Sequence, residues 1–470
     1  MCIMGDSAYT DSDRKHLLAC TVSGAFITPL MSTMMNLALM FIGDEFSVGS
    51  HDLGYVNTMF LLGSVMAMVP SARLASIYGM RKVFLLGLVI TGVTSFLAML
   101  SPGFAFFVAM RFAIGFGSAM IGVTSIAMLT YVFPLERRGW AIGINTTSVY
   151  IGLSLGPTIG GLVSDAVGWR ACLVIVLALV IVSLFFVSNF RKEVTPTPEE
   201  AMDWKGSVLW SVSVFVLMFG VINITSGLAA GMVVAGLGLF LVTVWYLRRC
   251  GSPVLNLRLF GIRTFSRSSV AAFMNYGASY SVAFFMSLYL QSIGALTASQ
   301  AGALMLVQPA VQVLLTARMG ALSDRMGDKR ILPTLGMLIV SFGVAMFLFL
   351  GTEFSLPYVV LMMLIIGVGM GIFSSPNTSV IMSSVPGKYR GEASGVVSVV
   401  RQTGMMVSMS IAMASIAVIM GSTDNLGPST YGDFVDTMRL AFSICLGMCV
   451  VGILCSWFRG STDEECLKSI

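Results

Sequence analysis

Residues Gly143 to Gly161 read GINTTSVYIGLSLGPTIGG inside an otherwise apolar stretch. Gly152, Gly156 and Gly160 recur at every fourth position. On a helix that spacing gives one smooth stripe where another helix can approach closely. Pro157 offers no N–H to the carbonyl of Leu153, so it bends or loosens the helix where the stripe is narrowest. Gly143 and Gly161 extend the run at either end. A membrane-spanning helix carries this much helix-breaking sequence only for a reason. Two readings stand: a close-packed joint that moves, or static packing of the kind found in channels and receptors.

The surrounding composition settles the solvent. Of 470 residues, 56% are hydrophobic and 10% charged, against about 25% charged in a soluble domain. A spanning helix needs about 20 apolar residues. Apolar runs between charged or Pro/Gly breaks predict about fourteen spans. They lie near 17–42, 53–75, 83–100, 104–131, 139–163, 170–190, 206–225, 227–247, 266–291, 299–319, 331–350, 356–380, 393–420 and 436–458. Strand alternation is absent, which excludes a β-barrel. The expected fold is an all-α polytopic membrane protein.

Lys and Arg stay on the cytoplasmic side of a bilayer, and here they alternate with the spans. Arg14 and Lys15, Arg81 and Lys82, Arg137 and Arg138, Arg191 and Lys192, Arg248 and Arg249, then Arg325, Lys329 and Arg330, Lys388, Arg390 and Arg459 all fall on one side. The opposite loops hold Asp44, Glu45, Asp52, Asp165, Glu353, Asp424, Asp433 and Asp436; only Arg170 and Arg439 break the pattern. This predicts a multi-pass protein of the cell membrane with both termini cytoplasmic. The net charge of +5 then reflects topology and implies no nucleic-acid partner. The first apolar run is too long for a signal-peptide core and lacks a small-residue cleavage site.

Eight cysteines (Cys2, Cys20, Cys172, Cys250, Cys445, Cys449, Cys455 and Cys466) lie in apolar runs or near basic ends. They read as small hydrophobes rather than disulfides. With only His16 and His51 in the chain, no metal site or cofactor is expected.

The chain repeats itself weakly. Ala72–Lys82 reads ARLASIYGMRK and Gly320–Arg330 reads GALSDRMGDKR, placing Gly79 opposite Gly327. After a shift of about one helical turn, Gly115 and Gly117 match Gly367 and Gly369. Likewise Pro134, Arg138, Gly139 and Gly143 match Pro386, Arg390, Gly391 and Gly395. Two six-span halves explain this, residues 1–190 and 251–470. Residues 191–250 then hold the linker RKEVTPTPEEAMDW (Arg191–Trp204) and an inserted pair, spans 7 and 8, without a counterpart.

These motifs carry a resemblance. The spacing G-x8-G-x3-GP-x2-GG is the antiporter motif of exporters in the major facilitator superfamily. GALSDRMGDKR is similar to its basic-loop motif, RFAIGFGSA (Arg111–Ala119) to its span 4 motif, and Gly168–Arg170 and the RQTG of Arg401–Gly404 to other recurring strings. The chain resembles, over its whole length, the drug:proton antiporter-2 family, the 14-spanner branch. That resemblance implies two rocking six-helix halves with a substrate site between them near the midplane. It also implies a role in proton transfer for Arg111. The basic-loop residues Ser76, Gly79, Arg81, Gly320, Asp324, Arg325 and Gly327 would form a cytoplasmic gate.

Arg111 and Arg401 lie well inside predicted spans. A charge at the bilayer centre costs roughly 2.5–3.5 kcal/mol even on the lenient insertion scale, so each faces a cavity or partner, or caps carbonyls exposed by nearby glycines. Uncharged candidates for the cavity are Asn36, Asn57, Asn145, Asn275, Tyr276, Gln308, Gln312 and Asn377. Gln308 and Gln312 are one turn apart and flank Pro309. The bland reading for these is interhelical hydrogen bonding. The 35 methionines read as lipid-facing or core filler, or as an adaptable cavity lining.

No acidic residue sits mid-span. Relatives that take cationic drugs carry an Asp early in span 1. The equivalent string here is LMSTMMNLALM (Leu30–Met40), with Met31 at that place. Ser76 likewise replaces the Asp of the first basic-loop motif; it could cap a helix but adds no charge. Asp44, Glu45, Asp52 and Glu392 are the remaining candidates for a titrating group. A cavity with two cations and no anion disfavours cationic substrates and suits neutral or anionic amphipaths. No P-loop and no nucleophile–base set occurs, so neither nucleotide-driven transport nor an enzyme is expected. The expected function is secondary export of small amphipathic compounds by a monomer in the lipid bilayer, with protons a candidate coupling ion. Alternatives are an uptake carrier, a lipid-type flippase, or a transport-inactive sensor or partner protein.

Overall fold

Thr10 starts the first helix: its hydroxyl accepts from the Asp13 amide while the Asp13 carboxylate accepts from the Thr10 amide. This capping box satisfies two of the four free N–H groups at a helix start. The computed structural model describes residues 9–190, 192–194, 201–223, 226–251, 253–255, 257–326, 328–386, 390–421 and 426–460, apart from a few side chains within helices. The first half comprises α1 (Asp11–Phe46), α2 (Ser50–Tyr78), α3 (Met80–Met99), α4 (Phe104–Val132), α5 (Leu135–Val167) and α6 (Arg170–Asn189). A hairpin of α7 (Trp204–Ile222) and α8 (Ala229–Arg249) follows. The second half holds α9 (Arg263–Ser279), α10 (Ser281–Ser292), α11 (Ala298–Met305), α12 (Val307–Arg325), α13 (Ile331–Met346), α14 (Leu356–Ser383), α15 (Arg390–Ile419) and α16 (Tyr431–Trp457).

Among the described residues, 12 helical stretches are long and apolar enough to cross a membrane, with α11 and α12 counted as one. The two expected spans outside that set are α5 and the α9–α10 pair. The first carries the glycine–proline run, and the second is polar at its start and interrupted at Tyr280.

The two halves use the same pairings. α1 packs on α4, α5 and α6, α4 on α2 and α3, and α3 on α6; correspondingly α9 packs on α14, α15 and α16, α14 on α12 and α13, and α13 on α16. Glycines two apart make this possible, because they point to nearly opposite sides of one helix. A Cβ on Gly115 would strike the α2 backbone at Phe60 and one on Gly117 the α3 backbone at Gly87. Their counterparts repeat the arrangement: a Cβ on Gly367 would come 2.5 Å from the Gln308 carbonyl of α12 and one on Gly369 2.7 Å from the Val340 amide of α13.

The halves touch where α5 meets α11 and α12, α2 and α4 meet α15, and α1 meets α10 and α11. α7 lies across α2 and α15, with Trp210 Nε1 donating to the Val65 carbonyl at 3.1 Å. Large apolar side chains such as Leu86, Phe96, Ile181, Phe185, Leu241 and Phe342 are exposed on the outside, as a lipid-facing surface requires.

Charge divides the ends. At the basic end Lys192 pairs with Asp13 at 2.8 Å. At the acidic end lie the two arginines that broke the sequence pattern, and each is compensated the same way. Arg170 pairs with Glu45 at 2.5 Å and donates to the Met99 carbonyl at the end of α3. Arg439 pairs with Asp436 at 2.9 Å and donates to the Leu350 carbonyl beyond α13. Each caps the equivalent helix end of its own half, where a cation is favoured.

Candidate functional site

The glycine stripe of α5 is the seat of α1. A Cβ on Gly152 would come 2.8 Å from the Phe26 carbonyl, one on Gly160 2.6 Å from the Met34 carbonyl, and one on Gly156 would collide with Thr33. Gly161, one position further round the helix, faces the other half instead and admits the Ala298 carbonyl of α11. The contact is reciprocal, since a Cβ on Gly302 of α11 would come 2.5 Å from the Pro157 carbonyl. Thr158 Oγ1 donates to the Gly302 carbonyl at 3.3 Å, and the Ser299 amide donates to Asp165 at 2.7 Å. One helix thus carries a same-half interface and a cross-half interface on adjacent faces. Gly143, near the basic end, is exposed with open space around it.

The second half loosens a different helix. Where the first half has Gly156, the second has Ser408. Ser408 Oγ accepts from the Ser281 amide at 2.9 Å and donates to Ser281 Oγ at 3.0 Å. Ser281 opens α10 just after the interruption at Tyr280, so Ser408 supplies a partner to backbone that the break leaves available. Small residues flank the break in the sequence, but no spacing rule reads it.

Of the predicted pathway residues, Arg401 and Tyr276 come together, close enough to act on one another electrostatically, with Tyr150 of α5 also near Tyr276. Tyr150 donates to Ser374 Oγ at 3.3 Å and Gln402 Nε2 to Ser64 Oγ at 3.2 Å. This polar band, drawn from α2, α5, α9, α14 and α15, crosses the gap between halves at mid-span. Tyr150, Ser374, Ser64 and Gln402 are ordinary residue types, unreadable as a set until helices pair.

Arg111 lies apart from that band, nearer the acidic end, and is 0% exposed. Its Nε donates to the Val56 carbonyl at 3.1 Å and its guanidinium lies 4.9 Å from the Phe60 ring centre. Nη1 and Nη2 are buried without a hydrogen-bond partner, and no carboxylate pairs with it among the described residues. The Tyr280 hydroxyl, hydrogen-bonded to Ser32 at 2.8 Å, is the polar group felt by Arg111 from the other half.

The remaining candidates hold helices together. Asn145 Nδ2 donates to the Thr21 carbonyl at 3.0 Å, tying α5 to α1. Asn36 Oδ1 accepts from Asn57 Nδ2 at 2.6 Å, and its carbonyl accepts from Ser287 of the other half. Asn275 Nδ2 contacts the Met337 sulfur at 3.2 Å. Asn377 bridges the Ser268 carbonyl and Arg459. The backbones of Gln308 and Gln312 form part of the α12–α14 seam against Gly367 and Gly371, while the side chain of Gln308 is half-buried and that of Gln312 buried. Met31, Met34, Met35, Met406, Met409 and Met413 are buried core.

At the basic end the Ser76 hydroxyl donates back to the Ala72 carbonyl of its own helix at 3.2 Å. A carboxylate nevertheless reaches this corner, from Glu193 in the linker. It accepts from the Arg81 amide at 2.8 Å and occupies the space where Gly79, at φ 115°, lacks a side chain. Arg81 itself donates to the Val187 carbonyl at 3.4 Å and to that of Phe190. Glu193 arrives from beyond α6, outside the α2–α3 loop whose own sequence has no acid. In the second half a Cβ on Gly320 would lie 2.5 Å from Ser375 Oγ, and Arg325 is exposed. Gly327 and the side chains of Asp324 and Glu392 lie outside the described residues. Among the acidic-end candidates, Glu45 is held by Arg170 and by Trp169 Nε1 at 2.7 Å, while Asp52 lies 3.6 Å from His51.

Among the described residues, hydrogen bonds between the halves run from mid-span to the acidic end, and a cavity of about 710 Å3 lies between α2, α4 and α15 at the basic end. The described state is therefore closed at the acidic end and open at the basic end. The profile of the Major Facilitator Superfamily matches residues 21–262 and 268–465. The chain is 28% identical over 417 residues to the multidrug resistance protein Stp of Mycobacterium tuberculosis, covering 86% of this chain and 76% of that protein. It is 25% identical over 444 residues to the riboflavin transporter RibZ of Clostridioides difficile, covering 94% and 97%. The tetracenomycin C resistance and export protein of Streptomyces glaucescens is 26% identical over 86% of this chain and 76% of its own. In fold, a bacterial homologue of the lysosomal transporter Spinster superposes with a TM-score of 0.70 at 17% identity, over 97% of this chain and 98% of that one. Matches of this extent are consistent with the 14-spanner branch: the chain is a membrane transporter that belongs to the Major Facilitator Superfamily.

Proposed function

We propose that the protein exports small neutral or anionic amphipathic compounds by alternating access, rocking its halves about the α5–α11 and α1–α10 contacts. One observation carries the substrate class: the mid-span band presents Arg401 with Tyr276, and Arg111 lies beyond it, with no carboxylate in either place among the described residues. A cation entering that band meets positive charge in a low-dielectric surround, whereas an anion or a neutral hydrogen-bonding compound gains from it. Export as the direction rests on relatives named for drug resistance and export. The protein is read as a monomer of the cell membrane with its basic end in the cytoplasm, following the distribution of Lys and Arg.

Proton coupling has no mid-span carboxylate to use, and arginine stays charged throughout the physiological range. Coupling, where it exists, falls to the acidic-end carboxylates or Glu392; otherwise the protein works by exchange. A second reading is favoured by length. The riboflavin transporter matches end to end while the drug-resistance proteins do not, and a planar, neutral heteroaromatic solute suits a band of tyrosine, glutamine and arginine.

The test is transport in proteoliposomes of anionic, neutral and cationic dyes and of riboflavin, with and without an imposed pH gradient. Anionic and neutral compounds should move, and a pH-gradient dependence would assign the coupling. Preferential cation transport overturns the charge argument. Riboflavin movement without dye movement selects the second reading, and no exchange of any compound leaves a transport-inactive protein.

A further inference from the structure

Pro70 sits inside α2 and has no N–H to give the Met66 carbonyl four residues before it. That freed acceptor marks the point at which α2 can bend. Another helix takes it up. Ser211 Oγ of α7 donates to the Met66 carbonyl at 3.0 Å, and the neighbouring Trp210 Nε1 donates to the Val65 carbonyl at 3.1 Å. Trp210 is buried, its ring centre 6.2 Å from that of Phe240 in α8. α7 is itself fixed at both ends. Asp203 accepts from the Gly206 amide at 2.8 Å and from the Tyr246 hydroxyl of α8 at 3.0 Å, and Tyr55 of α2 donates to Asn223 at 2.7 Å. Contact with α15 is softer: Ser410 Oγ meets the Met218 sulfur at 3.9 Å, a weak acceptor on a flexible side chain. The α7–α8 hairpin is therefore built onto the first half, at the place in α2 where proline has opened the backbone.

What lies beyond the break gives this docking its consequence. Ala72, Ala75 and Ser76, in the last turns of α2, form one wall of the basic-end cavity, and Ser394, Val396 and Val399 of α15 form part of another. The angle of α2 at Pro70 sets how far those walls stand apart. Away from water nothing replaces a lost donor, so an unpaired Met66 carbonyl is costly. The helix is held at the angle at which Ser211 reaches it. We propose that α7 is a splint for the Pro70 hinge, with Ser211 and Trp210 as positioning residues that hold the last turns of α2 away from α15 and keep the mouth open at the basic end. Released, the hinge lets the apolar parts of the two walls close on each other. The splint's role in transport rests on the alternating-access reading, in which that mouth admits substrate to the mid-span band.

Two measurements on the full-length protein test the splint, and neither needs transport. The first is a double-mutant cycle on thermal unfolding. Ser211→Ala should lower the unfolding temperature by a few degrees, because it strips the Met66 carbonyl of its donor. Pro70→Ala gives α2 back the missing N–H, and in that background Ser211→Ala should change nothing. Equal changes in the two backgrounds, including none, overturn the proposal. The second follows labelling of Ala72→Cys by a water-soluble maleimide, read at that position by mass spectrometry because Cys250 lines the same cavity. Trp210→Phe with Ser211→Ala should slow this labelling several-fold at a temperature well below unfolding. Unchanged labelling overturns the proposal and reduces α7 to packing. A protein that gives both expected results and moves no compound keeps the splint and loses only the export reading.

Discussion

Arg111 is the residue whose surroundings make the sharpest demand. A buried guanidinium with one acceptor and two open nitrogens costs free energy without returning much stability. Removing a buried, poorly compensated charge is often neutral or stabilising. Arg111→Leu should therefore leave the unfolding temperature unchanged or raised while transport falls at least about tenfold, the equivalent of about 1.4 kcal/mol at the barrier. Thermal unfolding and dye transport on the same preparation check this. A joint loss of stability and transport would make Arg111 a structural rivet through Val56 and Phe60. Arg401 makes a different prediction, because its neighbour is the neutral hydroxyl of Tyr276 in the same half, with Tyr150 of the other half nearby. Arg401→Gln should lower transport of an anionic dye several-fold more than that of a neutral one. Equal losses would place Arg401 outside substrate contact.

At the scale of elements, the two faces of α5 separate two kinds of glycine. Gly156→Ala drives a methyl into Thr33 of the same half, so it should destabilise by about 1–3 kcal/mol. Thr33→Ala in the same chain should recover most of that, a coupling that a double-mutant cycle reads directly. Gly161→Ala meets the Ala298 backbone of the other half, which cannot rotate away. It should shift the equilibrium toward the state open at the acidic end, seen as increased labelling of a cysteine introduced at Ser299. Unchanged labelling would reduce Gly161 to packing.

The α5 stripe was legible in the sequence because a four-residue period needs no partner to be read. The paired glycines of α4 and α14 were legible for the same reason, through their repetition. Asn145, Gln308 and Gln312 were legible as polar mid-span positions but not in their surroundings. A polar side chain mid-span predicts a hydrogen bond, but only helix pairing decides whether it points across the gap or into a neighbour. The break at Tyr280 and the arrival of Glu193 beside Gly79 were not legible at all. The first depends on Ser408, far along the chain, and the second on the linker folding back beneath α3.

For the molecule as a whole, the distribution of contacts between the halves defines the cycle. Asp165–Ser299, Thr158–Gly302, Asn36–Ser287 and Ser32–Tyr280 close the acidic end, while the basic end is parted by the cavity. Alternating access requires those four contacts to break together each time the substrate crosses, because the α5–α11 seam moves as one surface. A covalent bond across that seam should then stop turnover without emptying the pathway. Asp165→Cys with Ser299→Cys places two thiols where a carboxylate and a hydroxyl are in hydrogen-bonding contact. Cys20, Cys172, Cys445 and Cys449 are buried, and the half-buried Cys250 and Cys455 lie toward the basic end, away from this seam. On mild oxidation transport should cease, substrate should still bind from the basic end, and a thiol reductant should restore turnover; each single-cysteine variant should be indifferent to oxidation. Continued transport by the cross-linked protein would mean that the acidic end does not open by separation of α5 from α11, and the rocking of halves about that seam would have to be abandoned.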